Sequence, residues 1–197
     1  MRSMTTAGRA RGVLHRSGPT CGLASLALLA TWAGAAATET PEARRLAYQC
    51  SVLTKEPAIA ACRQALDLGL SPGRAATVHT LLALHLAGLH RWDEVVASYR
   101  ELVRLRPADA LAHWRLGDAL LFGLHKSQES LAPLREAVRL DPDLVGAHVS
   151  LGVALAELDD RAGAVEAFEE AQRLDPRCFE SRPGARSVFD AARRPKP

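Results

Sequence analysis

The feature that most constrains this chain is a phrase that it contains three times: ELVRLRP ending at Pro107, EAVRLDP ending at Pro142 and EAQRLDP ending at Pro176. The closing prolines are 35 and 34 residues apart. A fixed period of this length demands a repeat architecture, in which each unit is one supersecondary element that cannot bury its apolar face alone. Within the last unit Leu151, Gly152, Leu155, Ala164, Phe168 and Ala171 precede Pro176, and within each half their spacings are those of amphipathic helices. Each unit therefore reads as a helical hairpin.

Position by position the unit makes physical sense. Gly152 in mid-helix costs about 1 kcal/mol against alanine, so its expected use is to let a neighbouring helix approach closely. Ala164 and Ala171 serve the same purpose from the second helix, and Phe168 fills the space between. Pro176 stops the helix, with Asp175 driven out of helical geometry before it. Composition agrees with an all-α fold: Ala, Leu and Arg dominate, Asn is absent and isoleucine occurs only at Ile59, which leaves strong helix formers and few turn signals.

The stretches HVSLGVAL and RAGAVEAFEEAQRLDP, repeated with this period, resemble a tetratricopeptide repeat, whose pattern places Trp, Leu-Gly, Tyr, Ala, Phe, Ala and Pro at matching offsets. His148 and Leu155 stand where the family has aromatic residues. The resemblance implies an α-solenoid of helix-turn-helix units at residues 73–107, 108–142 and 143–176. The first keeps Leu82, Ala83, Leu86 and Tyr99, with Val95 and Leu102 in place of small alanines. The second keeps Leu116, Gly117, Leu120, Leu134 and Ala137, and its extra residue is expected in the hairpin turn between Gly123 and Lys126. Residues 38–72 read as a divergent fourth hairpin, in which Ala58, Cys62 and Ala65 keep second-helix spacing. Residues 177–197 read as a capping helix and tail, with Val188, Phe189 and Ala192 as one apolar stripe, because an array needs a cover for its last face.

Residues 1–37 stand apart. Arg2, Arg9, Arg11 and Arg16 occur there with no acidic residue, followed by CGLASLALLATWAGAAA, which ends in small residues suited to A-x-A cleavage. The segment reads as a secretory signal peptide cleaved near Ala35 to Ala37. The alternatives are an uncleaved anchor, for which the strongly apolar part falls short of the roughly 20 residues a span needs, and an organellar transit peptide. The whole chain has 25 basic and 22 acidic residues, a net charge of +3; without the leader, 21 basic residues face 22 acidic ones, a net charge of −1. A near-neutral mature chain lacks the concentrated basic surface that nucleic-acid binding requires. The expected location is periplasmic or secreted, with no membrane contact if the leader is cleaved.

Cys50 and Cys62 lie six residues either side of Glu56. Two antiparallel helices rising about 1.5 Å per residue and packed about 9 Å apart would bring their Cα atoms within about 5 Å, which is disulfide distance. The other reading is a pair of small buried thiols at a helix interface. Resemblance bears on the choice, since exported bacterial tetratricopeptide proteins often begin with a similar Cys-containing hairpin. Cys178 is left over, either free or able to pair between chains.

Two further series recur with the period. His79, His113 and His148 share one offset, where the family usually has a packed aromatic; equivalent atoms of neighbouring repeats lie about 10 Å apart, whereas histidines sharing zinc must each come within about 2.1 Å of it. A structural imidazole is expected, with a metal or pH sensor as the other reading. Arg104, Arg139 and Arg173 share another offset, where they suit the negative end of a helix or form a stripe for an anionic partner.

No HExxH, GxGxxG, P-loop or CxxC motif occurs, and HVSLG lacks the first glycine of a nucleophile elbow. No enzyme and no cofactor are expected. In proteins that this chain resembles, the first helices of successive repeats line a concave groove. Carried over by position, that implies Leu84, Leu111, Trp114, Asp118, Leu121, Phe122, Val149 and Val153 as lining, with Arg115 the only basic residue beside them. Such a mostly apolar lining is unlike the family's carboxylate clamps, and it suits an apolar or amphipathic protein segment anchored on Trp114. The expected function is a non-enzymatic interaction scaffold in the cell envelope. Filling of the groove by the chain's own terminal helix, or self-assembly through a second copy, is the alternative.

Overall fold

A computed structural model of the chain describes residues 39–180 and 182–194; the leader expected at residues 1–37 lies outside them. Among the described residues the regular structure is entirely helical: α1 (Pro41–Val52), α2 (Lys55–Asp67), α3 (Pro72–Ala87), α4 (Trp92–Leu105), α5 (Ala110–Asp118), α6 (Ser127–Leu140), α7 (Val145–Glu157), α8 (Arg161–Leu174) and α9 (Pro183–Arg193). α5 runs on into a π-helical turn, Ala119–Gly123. Consecutive helices pack as the pairs α1 and α2, α3 and α4, α5 and α6, α7 and α8, and each pair packs on the next. This is an α-solenoid. No described helix is long and apolar enough to cross a membrane.

Local chemistry sets the helix ends. The Thr40 and Asp160 side chains accept the Ala43 and Gly163 amides at 3.0 Å, and Asp109 accepts from Leu111 and Ala112, each satisfying donors that a helix N-terminus leaves open. Each hairpin has one non-glycine residue in the left-handed region where its second helix is entered: His90, His125 and Asp159 in the turns, and Lys55 as the first residue of α2. They recur at 35, 35 and 34 residues, so the α1–α2 hairpin is in phase with those that follow.

The repeated phrase has a structural explanation. Arg106, Asp141 and Asp175, each the residue before a proline, have φ of −135°, −138° and −139° and end α4, α6 and α8, as clash with the proline ring dictates. Arg104, Arg139 and Arg173 each pair with the glutamate three residues earlier: Arg104 Nε donates to Glu101 at 2.8 Å, and Arg139 and Arg173 make two bonds each to Glu136 and Glu170. These pairs occupy the guanidiniums of the supposed anion stripe. The Arg139 and Arg173 bonds hold the Glu136 and Glu170 carboxyls below their usual range.

Two apolar clusters run through the array. The first, from Leu46 to Leu120, joins α1 to α5 and includes Ile59, Val78, Leu86, Val95 and Tyr99; the second, from Leu121 to Phe189, joins the end of α5 to α9. A Cβ on Gly152 would stand 2.8 Å from the Phe168 ring, which is the close approach expected of that glycine. Phe168 in turn packs on Phe179 and Phe189, with centroids 5.8 and 5.4 Å away. Phe189 and Ala185 thus seal the end of the array under α9. The extra residue of the second repeat is not in the hairpin turn: α5 absorbs it as the π turn, which leaves the turn at His125 equivalent to the others.

Candidate functional site

The first helices α3, α5 and α7 place the expected lining residues unequally. Leu84, Leu111 and Phe122 are exposed. Leu121, Val149 and Val153 are 1%, 2% and 5% exposed, so they belong to the second core rather than to an open surface. α7 explains this, because buried residues occur on most of its faces, from Ala147 to Leu155, and an interior helix has little side chain left to present.

Trp114 is not a free anchor. Its indole Nε1–H donates to Ser150 Oγ at 3.2 Å, and its ring lies where a Cβ on Gly146 would approach to 2.6 Å. The hydroxyl of Ser150, a fully buried residue of α7, lies 2.6 Å from Asp118 Oδ1 and 2.8 Å from the Gly146 carbonyl. Its single proton serves one of these acceptors, while its lone pairs accept from Trp114 and from Arg182 Nη1 at 2.9 Å.

Arg182, the residue before α9, completes the group. Its guanidinium forks onto the Asp118 carboxylate, Nη2 to Oδ2 and Nη1 to Oδ1 at 3.2 Å, and stands 4.9 Å from the Phe122 ring centroid and 5.7 Å from that of Trp114. The centre of the mostly apolar lining expected is therefore a charged pair framed by aromatic rings, Asp118 from that lining and Arg182 from outside it. Nothing local marks Arg182 or Ser150 in the sequence; the first is 64 residues from its partner.

Three cavities meet here. One of about 190 Å³ brings Trp114, Arg115, Asp118 and Phe122 together with Trp92 and Tyr99 of α4. Burial pushes the Tyr99 phenol up, and Arg115 Nε is buried with no hydrogen-bond partner. A second, of about 640 Å³, is bounded by Trp114, Gly146, Val149, Cys178 and Arg182, and a third, of about 570 Å³, by Asp118, Phe122, Val153, Val188 and Arg182. Leu84 and Leu111 line none of these three.

The remaining candidates resolve individually. Cys50 and Cys62 are fully buried at disulfide distance, with Cα atoms 4.9 Å apart. Cys178 is a buried free thiol whose pKa burial raises, so it is not presented for pairing between chains. His113 and His148 donate from Nε2 to the Pro107 and Pro142 carbonyls at 2.9 and 2.8 Å, which ties each first helix to the proline closing the preceding unit. His79 has no such carbonyl, because six residues before it lies Gly73, already inside α3; its Nδ1 is buried without a partner and desolvation lowers its pKa. Among the described residues no cluster of His, Cys, Asp and Glu is placed to hold a metal ion.

Residues 145–178 match the tetratricopeptide repeat family. Among solved structures, a MamA double mutant is 22% identical over 77% of this chain and 84% of its own, with a TM-score of 0.62. YrrB, described as a tetratricopeptide protein with an unusual peptide-binding site, is 22% identical over 78% and 84%, with a TM-score of 0.59. The TPR2B domain of yeast Sti1, in its pHsp70 complex, is 23% identical over 59% and 94%, with a TM-score of 0.54. At such identities the likeness is one of fold. No curated protein matches the sequence significantly. Residues 145–178 are thus a tetratricopeptide repeat, and the described chain shares the solenoid fold of tetratricopeptide repeat proteins.

Proposed function

We propose that this chain is a non-catalytic scaffold that holds a segment of another protein in the groove of α3, α5 and α7. The observation that carries this reading is the convergence of three cavities on the aromatic and charged cluster at Trp114, Asp118 and Phe122, because convergent polar groups within an apolar hollow are how binding sites are built. Peptide complexes or sites on the neighbours Sti1 and YrrB support it. The setting proposed is the oxidising side of a bacterial cell envelope. The pattern of residues 1–37 and the placement of Cys50 beside Cys62 support it.

The test is site-specific photo-crosslinking in the native host. A photoreactive side chain at the exposed Leu84 or Leu111 should capture one defined protein, and the same group at Glu169 on α8 should not. The pair Leu84→Glu and Leu111→Glu should abolish capture with helical circular dichroism unchanged. Equal capture from both faces would sink the reading.

A further inference from the structure

We propose that Asp118, Ser150, Phe122 and Trp114 form an arginine-binding cradle, that Arg182 is the chain's own stand-in for the ligand, and that the segment held in the groove belongs to a partner protein presenting an arginine there. The inference rests on the scaffold reading above and adds the chemistry of what is held.

The cradle is specific for a guanidinium. Asp118 meets the fork of Arg182 with both carboxylate oxygens, a planar match that an ammonium group cannot make. Phe122 and Trp114 supply ring contacts at 4.9 and 5.7 Å, where a flat, weakly hydrated cation is favoured. Ser150 adds an acceptor at 2.9 Å.

The cradle is also held without Arg182. Ser150 joins Trp114 and Asp118 by hydrogen bonds within α5 and α7 alone, and Gly146 seats the indole. The recognition groups stay in place when the resident side chain leaves. Its departure does not require α9 to undock, since that helix is held by Ala185 and by Phe189 against Phe168. Arg182 itself is 28% exposed along its side chain, so it has a way out.

Arg182 is a bar across a longer groove, because it borders both the 640 Å³ and the 570 Å³ cavities. Its withdrawal joins them. The smaller of the two is walled by Phe122, Val153, Ala185 and Val188, and Gly184, which follows Pro183 there, brings no side chain to fill it. A second copy of this chain offers the same Arg182 followed by the same proline and glycine, so exchange gains nothing, and its Arg-Leu pairs at Arg104, Arg139 and Arg173 lie in helices where the guanidiniums are bonded to Glu101, Glu136 and Glu170. The occupant that gains is an arginine next to a large apolar side chain, with Asp118 supplying the opposite charge.

The test uses the full chain and fluorescein-labelled heptapeptides with a central arginine, lysine or citrulline followed by leucine. Arg182→Ala should bind the arginine peptide at least about tenfold more tightly than the wild type does, and about tenfold more tightly than the lysine or citrulline peptide. Adding Asp118→Asn should remove that preference. Equal binding of the three peptides, or no gain on Arg182→Ala, overturns the proposal. A dimer of Arg182→Ala in sedimentation overturns the choice of partner over second copy. Should Arg182→Ala lose its helical signal, the wild type decides: N-acetyl-arginine amide should shift the Trp114 indole N–H resonance, and a shift no greater than that from N-acetyl-lysine amide overturns the proposal. Loss of arginine preference with capture at Leu84 and Leu111 intact sinks this inference alone; loss of that capture sinks the scaffold reading beneath it.

Discussion

Arg182 and Asp118, 64 residues apart in the chain, form an ion pair between the start of α9 and the end of α5. Their side chains are 28% and 24% exposed, so the pair is neither a solvated surface bridge nor a fully desolvated one. It ties the last helix to the second repeat, across the third.

That intermediate burial sets the expected strength. A double-mutant cycle of Arg182→Ala and Asp118→Asn, read by urea denaturation, should give a coupling of about 1–2 kcal/mol. A surface pair would give less than about 1 kcal/mol, and loss of one partner from a fully buried pair would cost about 3–5 kcal/mol. A coupling indistinguishable from zero would show that the pair is incidental to the docking of α9.

Gly152→Ala should destabilise the chain by about 1–3 kcal/mol, even though alanine is the better helix former by about 1 kcal/mol. The added methyl meets Phe168, and Phe168 cannot yield because Phe179 and Phe189 pack against it. Thermal unfolding followed at 222 nm checks this; a variant as stable as the wild type would mean that the aromatic cluster has slack.

Reduction should loosen the first hairpin. If Cys50 and Cys62 are joined, the short loop they close contributes about 3 kcal/mol, and Cys50→Ala with Cys62→Ala should lose a similar amount. Alkylation with and without prior reduction counts the thiols directly. Reductant should leave the double variant's melting temperature unchanged.

His79 makes stability depend on pH in one direction. Burial is the main cause holding its pKa below the ordinary 6.5, so the unfolded chain takes up a proton before the native one does. Stability is therefore full above the unfolded value and falls in the acidic window below the ordinary 6.5, as the pH drops toward the lowered native value. His79→Phe, which places an aromatic ring at this offset, should flatten the melting temperature across that window. An unchanged slope would assign the dependence to other groups.

The legible part of this protein is the part that local rules control. Pro107, Pro142 and Pro176 announced the helix ends because the clash of a proline with the residue before it needs no tertiary context. Gly152 announced a close helix neighbour for an equally local reason: a residue that weakens its own helix must have a use elsewhere. The extra residue of the second repeat was harder. A hairpin turn and a π turn accommodate one residue equally well by count, and only the backbone hydrogen bonding of the folded chain places it in Ala119–Gly123.

By itself the sequence determined the all-α solenoid, because period and amphipathic spacing act over a few turns of helix. Which of the first-helix residues remain available was decided by tertiary structure alone. Val149 and Val153 disappear into the core because α7 is enclosed by its neighbours, and Trp114 is taken up by Ser150 and Gly146. The charge at the centre of the groove comes from Arg182, brought there by the path of the chain after the last repeat. A side chain that arrives from so far along the sequence leaves no periodic trace, since its place depends on how every preceding hairpin has packed.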